Sequence, residues 1–307
     1  MNDSFNLLEI FFDLSINNIL FVRVGKQVIH WGAGTIWTPS DFINLSKYNP
    51  LESLDSREGK SGVRFHLPIK KFNLFVFFDF YNTAPVNEQQ ITDFIDATSL
   101  GIRIDYTIGD FEIAFTTYLT KDEYAKFGFD FSGYLLGFGV WGEAAFSAKG
   151  YIEKVVSYST FGYTKDPVFS FTIGISKVFG DKKDYSFELD FFYNSDGYEL
   201  DSSQTSQDIY YLAILSGKSG YLYIGEMYTF LRLTKSNFIN NYMSVSISFL
   251  MNLTDYTYRV SFSHSFNLPN ILPFSYSITF VGGEENREFT IAGTNKFNFT
   301  ISTSISF

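Results

Sequence analysis

The sequence predicts an all-β fold: a transmembrane antiparallel up-and-down β-barrel of about 16 strands, within a range of 14–18. Three observations predict it. Side chains alternate apolar and polar with period two along most of the chain. Aromatic residues make up 20% of the 307 residues, with 37 Phe, 21 Tyr and 3 Trp. Connections between the alternating runs are by turns short and long.

Period two is the spacing that sends alternate side chains to opposite faces of a strand. The final segment shows it without a break: Phe297, Phe299, Ile301, Thr303, Ile305 and Phe307 share one face, and Asn298, Thr300, Ser302, Ser304 and Ser306 the other. Leu100, Ile102, Ile104 and Tyr106 alternate with Gly101, Arg103, Asp105 and Thr107. Phe169 to Ile175 and Tyr256 to Phe262 behave likewise. In the run from Tyr185 to Asn194 only Phe192 breaks the polar set, and the run from Tyr221 to Leu233 is less regular, with Glu226 in its more apolar phase. All seven prolines fall in loops or at strand ends, as expected of a residue that cannot donate to a ladder.

A soluble sandwich also alternates. These runs often reach ten residues or more, long enough for a tilted membrane crossing and longer than the usual five or six of soluble strands. Large rings crowd the apolar phase, as in the aromatic girdles of a lipid-facing barrel.

Short turns are expected near residues 16–18, 68–71, 109–110, 180–184 and 268–271, and long loops over 32–60, 83–97, 150–167 and 195–208. Short periplasmic turns and long extracellular loops are the asymmetry of bacterial outer-membrane barrels. The strand before the long loop at Trp31 then runs outward, so the first strand, over 5–15, runs inward, as does the last. About 15 strands are countable, 17 if 208–216 and 287–293 both pair. An even-numbered barrel with both ends periplasmic starts with an outward strand. The expectation is one domain over 1–307 lacking its signal peptide and at least one N-terminal strand. Asp3, Glu9 and Asp13 interrupt any apolar leader.

Composition excludes several classes. A net charge of −10 and a pI near 4.8 argue against nucleic acid as a partner. Zero cysteine excludes disulfides and thiolate metal sites. Acidic residues gather outside the strand-like runs (Glu52, Asp55, Glu58; Glu199, Asp201; Glu284, Glu285) and read as solvated loops, with a bridging divalent cation as the minor alternative.

With the apolar phase toward lipid, the expected pore-lining set is Glu9, Asp13, Arg23, Gln27, Arg64, His66, Asp79, Arg103, Asp105, Glu112, Lys126, Asp130, Glu143, Glu188, Asp190 and Arg259. Nine of these are acidic and five basic, which predicts a mild cation preference. Each taken singly reads more readily as a partner in a cross-strand ion pair; Arg23 facing Asp13 is one such pair, and Asp105 near Glu112 a further structural pairing. The loop over 32–60 is the expected extracellular or constriction element, with Trp37, Asp41, Phe42 and Tyr48 as candidates, and packing on its own rim is the competing reading. Gly25 marks an expected bulge, since the alternation falters there and leaves Lys26 in the lipid phase.

An enzyme is not expected. His264 lies between Ser263 and Ser265, but neighbours in a strand point to opposite faces; by phase His264 faces outward. His30 and His66 lack a nucleophile on a matching face, and no spacing suits a metal or cofactor.

A C-terminal aromatic such as Phe307, closing an alternating strand, resembles the signature read by the barrel-assembly machinery. The stretch Val24-Gly25-Lys26-Gln27-Val28-Ile29-His30-Trp31-Gly32, followed by Gly34, Trp37, Pro39, Ser40, Asp41 and Asn44, resembles a pattern in large porin-like outer-membrane families, including alginate-export-like barrels. Lys26 stands where that pattern usually has Arg, and Asn49-Pro50 lies further along. The resemblance covers about thirty residues and implies transport: a porin-type channel in the bacterial outer membrane, surrounded by lipid, passing small hydrophilic solutes. The alternative is a structural or surface-interaction barrel with a plugged lumen and working acidic loops. A homo-oligomer such as a trimer is compatible with this architecture, but no interface strand identifies itself.

Overall fold

The computed structural model describes residues 7–43, 59–80, 98–121, 123–150, 153–158, 160–216, 223–267, 272–291 and 296–303. Their strands are β1 (Ile10–Ile16), β2 (Leu20–Gln27), β3 (Lys60–Ile69), β4 (Phe72–Asp79), β5 (Ser99–Ile108), β6 (Phe111–Leu119), β7 (Lys126–Leu135), β8 (Phe138–Ser147), β9 (Lys154–Ser157), β10 (Thr160–Gly162), β11 (Val168–Phe179), β12 (Tyr185–Asn194), β13 (Met227–Ser236), β14 (Met243–Asn252), β15 (Tyr258–Phe266), β16 (Phe274–Gly282) and β17 (Phe297–Thr303), with one helix, α1 (Gln204–Ser216). β9 and β10 form a separate hairpin; the other strands form one 15-stranded antiparallel sheet in sequence order. Strands joined by a tight turn pair because the short connection leaves them nowhere else to go, and each longer connection returns the chain to the free edge of the strand it left. Asn17 and Asn18, both at positive φ, close the tight β1–β2 turn.

The connections alternate as expected. Those between β1 and β2, β3 and β4, β5 and β6, and β7 and β8 are tight, and they define a short-turn end. The long connections lie at the other end. Residues 83–97 and 268–271 fall outside the described residues, as do Tyr48 and the chain end at Phe307. The sheet's edges, β1 and β17, both run toward the short-turn end, and no ladder joins them among the described residues.

Three expectations are corrected here. Residues 208–216 do not pair as a strand. They lie in α1, whose first turn is capped by Ser203, the Ser206 N–H donating to its Oγ at 3.2 Å. The helix buries Tyr210 and Ala213 against Val155, Tyr198 and Ile224 beside the β9–β10 hairpin. The part of 287–293 that is described is a turn, not a strand. Gly25 is no bulge: the ladders run unbroken through Phe11–Gly25 and Gly25–Gly62. Its φ of +133° is backbone that a side chain would not tolerate, since an added Cβ would fall against the Ile10 carbonyl oxygen.

Burial is inverted relative to a soluble protein. On β5, Arg103 is 6% exposed while its neighbour Ile104 is 46% exposed. Asp130, Glu143 and Asp190 are buried; Phe129, Phe146 and Leu189 are exposed. Polar side chains thus face the enclosed side and rings the outside, the arrangement a barrel in lipid needs.

Candidate functional site

The inward positions follow from the ladder. Asp13 pairs with Arg23, Arg23 with Arg64, Arg64 with Phe77, and the register carries this face through Arg103, Thr116, Gly128 and Asp130 to Glu143. It continues through Thr172, Ser176 and Glu188 to Arg232, Ser248 and Ser261.

Into this enclosed space folds the segment 28–43. The Val28 N–H donates to Glu9 at 2.6 Å as the chain leaves β2. Ile29, Trp31, Phe42 and Ile43 then pack against Phe77 of β4, Tyr118 of β6 and Ala145 of β8. Further along, Ile36 and Trp37 pack against Phe192 of β12, Tyr228 and Phe230 of β13, Leu250 of β14 and Phe289. The Trp37 indole stacks on the Phe192 ring with centroids 5.4 Å apart and planes 8° apart. The segment therefore reaches from the β4–β8 sector across to the β12–β14 sector. Burying these rings on both sides is the main force holding it there.

Polar bonds fix its middle. Glu143 accepts from the Gly34 N–H, from the Ser40 N–H at 3.1 Å and from the Ser40 hydroxyl at 2.7 Å, all buried. The Thr35 hydroxyl donates to Glu188 and lies 3.3 Å from an Asp190 oxygen, while Asp190 also accepts from the Trp141 indole at 2.8 Å. Asp41 is fully buried, with the exposed His30 ring 3.5 Å away. The wall leaves room for the segment: a Cβ on Gly101 would sit 2.8 Å from the Trp31 ring, and one on Gly128 2.6 Å from Ser40.

Most of the other sequence-predicted residues are held in pairs. Arg23 grips Asp13 with two bonds of 2.7 and 2.8 Å, its guanidinium 3.7 Å from the Phe11 ring. Arg103 bridges Asp105 at 2.7 Å and Asp130 at 2.5 and 2.9 Å; Asp105 thus pairs with Arg103, while Glu112 stands exposed opposite Thr107. Lys126 bonds Glu123 at 3.1 Å. Asp79 accepts from the Tyr118 hydroxyl at 2.8 Å. Gln27 is fully buried. His66 stacks on Phe75 at 4.2 Å and bonds Asn73 at 3.0 Å. Arg64 is half-buried beside Arg23, and Arg259 lies over the Phe289 ring at 4.4 Å; neither has an acidic partner among the described residues.

The sequence reading missed Arg232, which faces inward 3.6 Å from Glu188, and it missed Thr35, Ser40 and Trp141. The available signal was Phe192, a ring in a polar phase. Tyr228, Phe230 and Leu250 are in the same situation: apolar residues on the inner face mark where the segment docks. His264 lies on the outward phase near the short-turn end but is covered there by Phe238 and Phe266, with Tyr276 at 3.2 Å. Among the described residues no group of three or more His, Asp or Glu could hold a metal. No described helix is long and apolar enough to cross a membrane, which bears on helices alone.

No protein-family model matches the chain, and no curated protein matches it. Solved structures do. The outer membrane protein opdK from Pseudomonas aeruginosa is similar at 9% identity over 92% of this chain and 75% of its own, with a TM-score of 0.52. OccAB3 of Acinetobacter baumannii matches at 12% identity over 92% and 72%, TM-score 0.52. A BenF-like porin from Pseudomonas fluorescens Pf-5 matches at 11% over 93% and 74%, TM-score 0.50. At these identities the likeness is one of fold, and the fold is the transmembrane β-barrel of outer-membrane porins.

Proposed function

We propose that this chain is an outer-membrane channel for passive diffusion of small hydrophilic solutes, constricted by the segment 28–43. The observation that carries the reading is that segment, bonded to Glu143 and packed against the inner wall from Phe77 on β4 round to Leu250 on β14. The long-loop end is then extracellular and the short turns periplasmic. Trp37, Asp41 and Phe42 belong to the constriction, and the inward charges line or flank the path. The excess of inward carboxylates supports a mild cation preference, kept weak because most charges are paired inside the wall. Similarity to a porin and an outer-membrane protein supports the location and the channel role.

The test is single-channel conductance of the purified chain in planar bilayers, wild type against a variant with residues 33–41 replaced by a short glycine-serine link. The expected result is a small, mildly cation-selective conductance that rises several-fold on excision. Clear anion selectivity refutes the charge argument. A silent wild type with a conducting excision variant favours the second reading, a barrel plugged by its own segment whose acidic outer loops meet other surfaces; the burial of Trp31, Trp37 and Phe42 on all sides is what supports that reading.

A further inference from the structure

Below the docking cluster, the inner wall changes character. One register row runs through Ser186, Thr234, Ser246, Ser263, Ser277 and Thr300, crossing six adjacent strands from β12 to β17. Every residue in it carries a hydroxyl and none a charge. The row nearer the short-turn end, from Ser236 on β13 through β14, β15 and β16 to Ser302, is serine throughout. In the row above, from β14 onward, the inward positions are again Ser, Thr or Asn. Ser246 and Ser263 share a bond of 2.8 Å, and Thr279 donates to Ser261 at 3.0 Å. Ser263 and Ser277 are only partly buried, whereas Asp130, Glu143 and Asp190 are buried. Thr35 of the segment reaches Glu188, two residues or about 7 Å along β12 from Ser186, so the panel begins immediately below the segment and continues toward the short-turn end.

We infer that this hydroxyl panel is a recognition surface for uncharged polyhydroxylated solutes of the sugar or polyol class. The inference rests on the channel reading above. A hydroxyl both donates and accepts, so a row of them can replace the hydration water around another polyol bond for bond. It offers an ion no countercharge for the hydration it would surrender. Most inward charges on the other strands are already bound: Arg103 by Asp105 and Asp130, Arg23 by Asp13, Glu143 by Gly34 and Ser40. On the panel side Arg232 is set against Glu188, and Arg259 of β15, nearer the long-loop end, lies over the Phe289 ring, leaving the two serine and threonine rows below it without a charge.

The test uses the full chain in liposomes and compares the entry of a neutral hexose with that of its sugar-acid and amino-sugar counterparts of matching size. KCl conductance is measured on the same preparation. The expected result is faster entry of the neutral hexose than of either charged counterpart. The double variant Ser263→Ala and Ser277→Ala removes two hydroxyls at the panel centre and is expected to lower that neutral-to-charged ratio about three-fold or more. Ser263→Asp is expected to move the preference toward the amino sugar. Equal entry of all three solutes, or an unchanged ratio in the double variant, overturns the panel inference while the channel stands. No KCl conductance from wild type and excision variant alike overturns the channel reading, and this one with it.

Discussion

Replacing Glu143 by alanine tests how the inner segment is held. The carboxylate receives three bonds from two points of the segment, the Gly34 N–H and the Ser40 N–H and hydroxyl. Removing it leaves two buried backbone N–H groups without an acceptor, at about 1–3 kcal/mol each. The docked state is thereby weakened by roughly 2–6 kcal/mol, with 3 kcal/mol worth about 150-fold in the docked-to-released ratio. Against this stand six apolar side chains of the segment (Ile29, Trp31, Ile36, Trp37, Phe42 and Ile43), each contributing about 1.5–3 kcal/mol as an upper bound. Apolar burial therefore exceeds the polar anchor. The expected outcome is a segment that stays in the lumen but opens repeatedly between residues 34 and 40. In single-channel recordings this appears as added current noise with excursions to a higher level; limited proteolysis shows new cleavage within 32–41. Glu143→Gln retains one carbonyl acceptor and is expected to fall between the two. If both variants match wild type in current noise and in protease resistance, Glu143 does not hold the segment, and the polar-anchor reasoning fails.

Trp37→Ala removes a buried ring stacked on Phe192 and is expected to destabilise the folded barrel by about 3–5 kcal/mol in detergent unfolding, with conductance raised. Arg103→Ala leaves Asp105 and Asp130 without their shared cation; thermal unfolding should show a loss of about 3–5 kcal/mol, partly recovered by adding Asp130→Asn. In the loop after β16, burial pushes the Glu288 carboxyl up to about 8, despite bonds from Tyr228 at 2.7 Å, Asn252 at 2.7 Å and the Ile224 N–H at 2.8 Å. A carboxyl whose folded pKa exceeds its ordinary value of 4.5 binds its proton more tightly in the native state. Its contribution to stability is thus complete below about pH 4.5 and lost as pH rises to about 8, on the order of 5 kcal/mol in all. Thermal unfolding between pH 5 and 9 should show that decline in wild type and a flatter profile in Glu288→Gln; equal slopes would count against it.

The barrel was legible because its signal is repeated on every strand. Ile102, Ile104, Phe127, Phe129 and their equivalents face outward with the same spacing, so one irregular residue hardly disturbs the pattern. The docking of the inner segment was not legible, for a physical reason. It requires apolar residues on the polar face, and in a period-two reading those look like noise. Phe192 was the visible exception, while Phe77 sits in a strand apolar enough on both faces to hide it and Leu250 in the unbroken apolar run Phe249 to Met251. Residues 208–216 read as a strand because Ile209, Tyr210, Tyr211 and Leu212 are apolar without a period; Ser203 at the cap and the pocket for Tyr210 made them a helix. Trp37 and Phe42 were picked out as rings able to enter the mouth, yet nothing local told which wall each would meet, since their partners lie on strands far along the chain, from Phe77 for Phe42 to Phe289 for Trp37.

The division of the inner wall follows from what each side chain can tolerate. A charge may be buried only against a partner, so Arg103, Asp105 and Asp130 cluster where neighbouring strands supply the opposite sign. A ring on the inner face is stable only where something dry covers it, so Phe192, Phe230 and Leu250 gather beneath Ile36 and Trp37. Where neither cover nor countercharge exists, the wall must remain content in water, and the short hydroxyl side chains of β14 to β17 meet that condition without narrowing the lumen. Discrimination in such a pore rests on the width set by the inner segment and on hydrogen bonding along the open wall. Selection among neutral solutes should therefore change little with ionic strength, since salt screens charges and not hydrogen bonds between neutral groups.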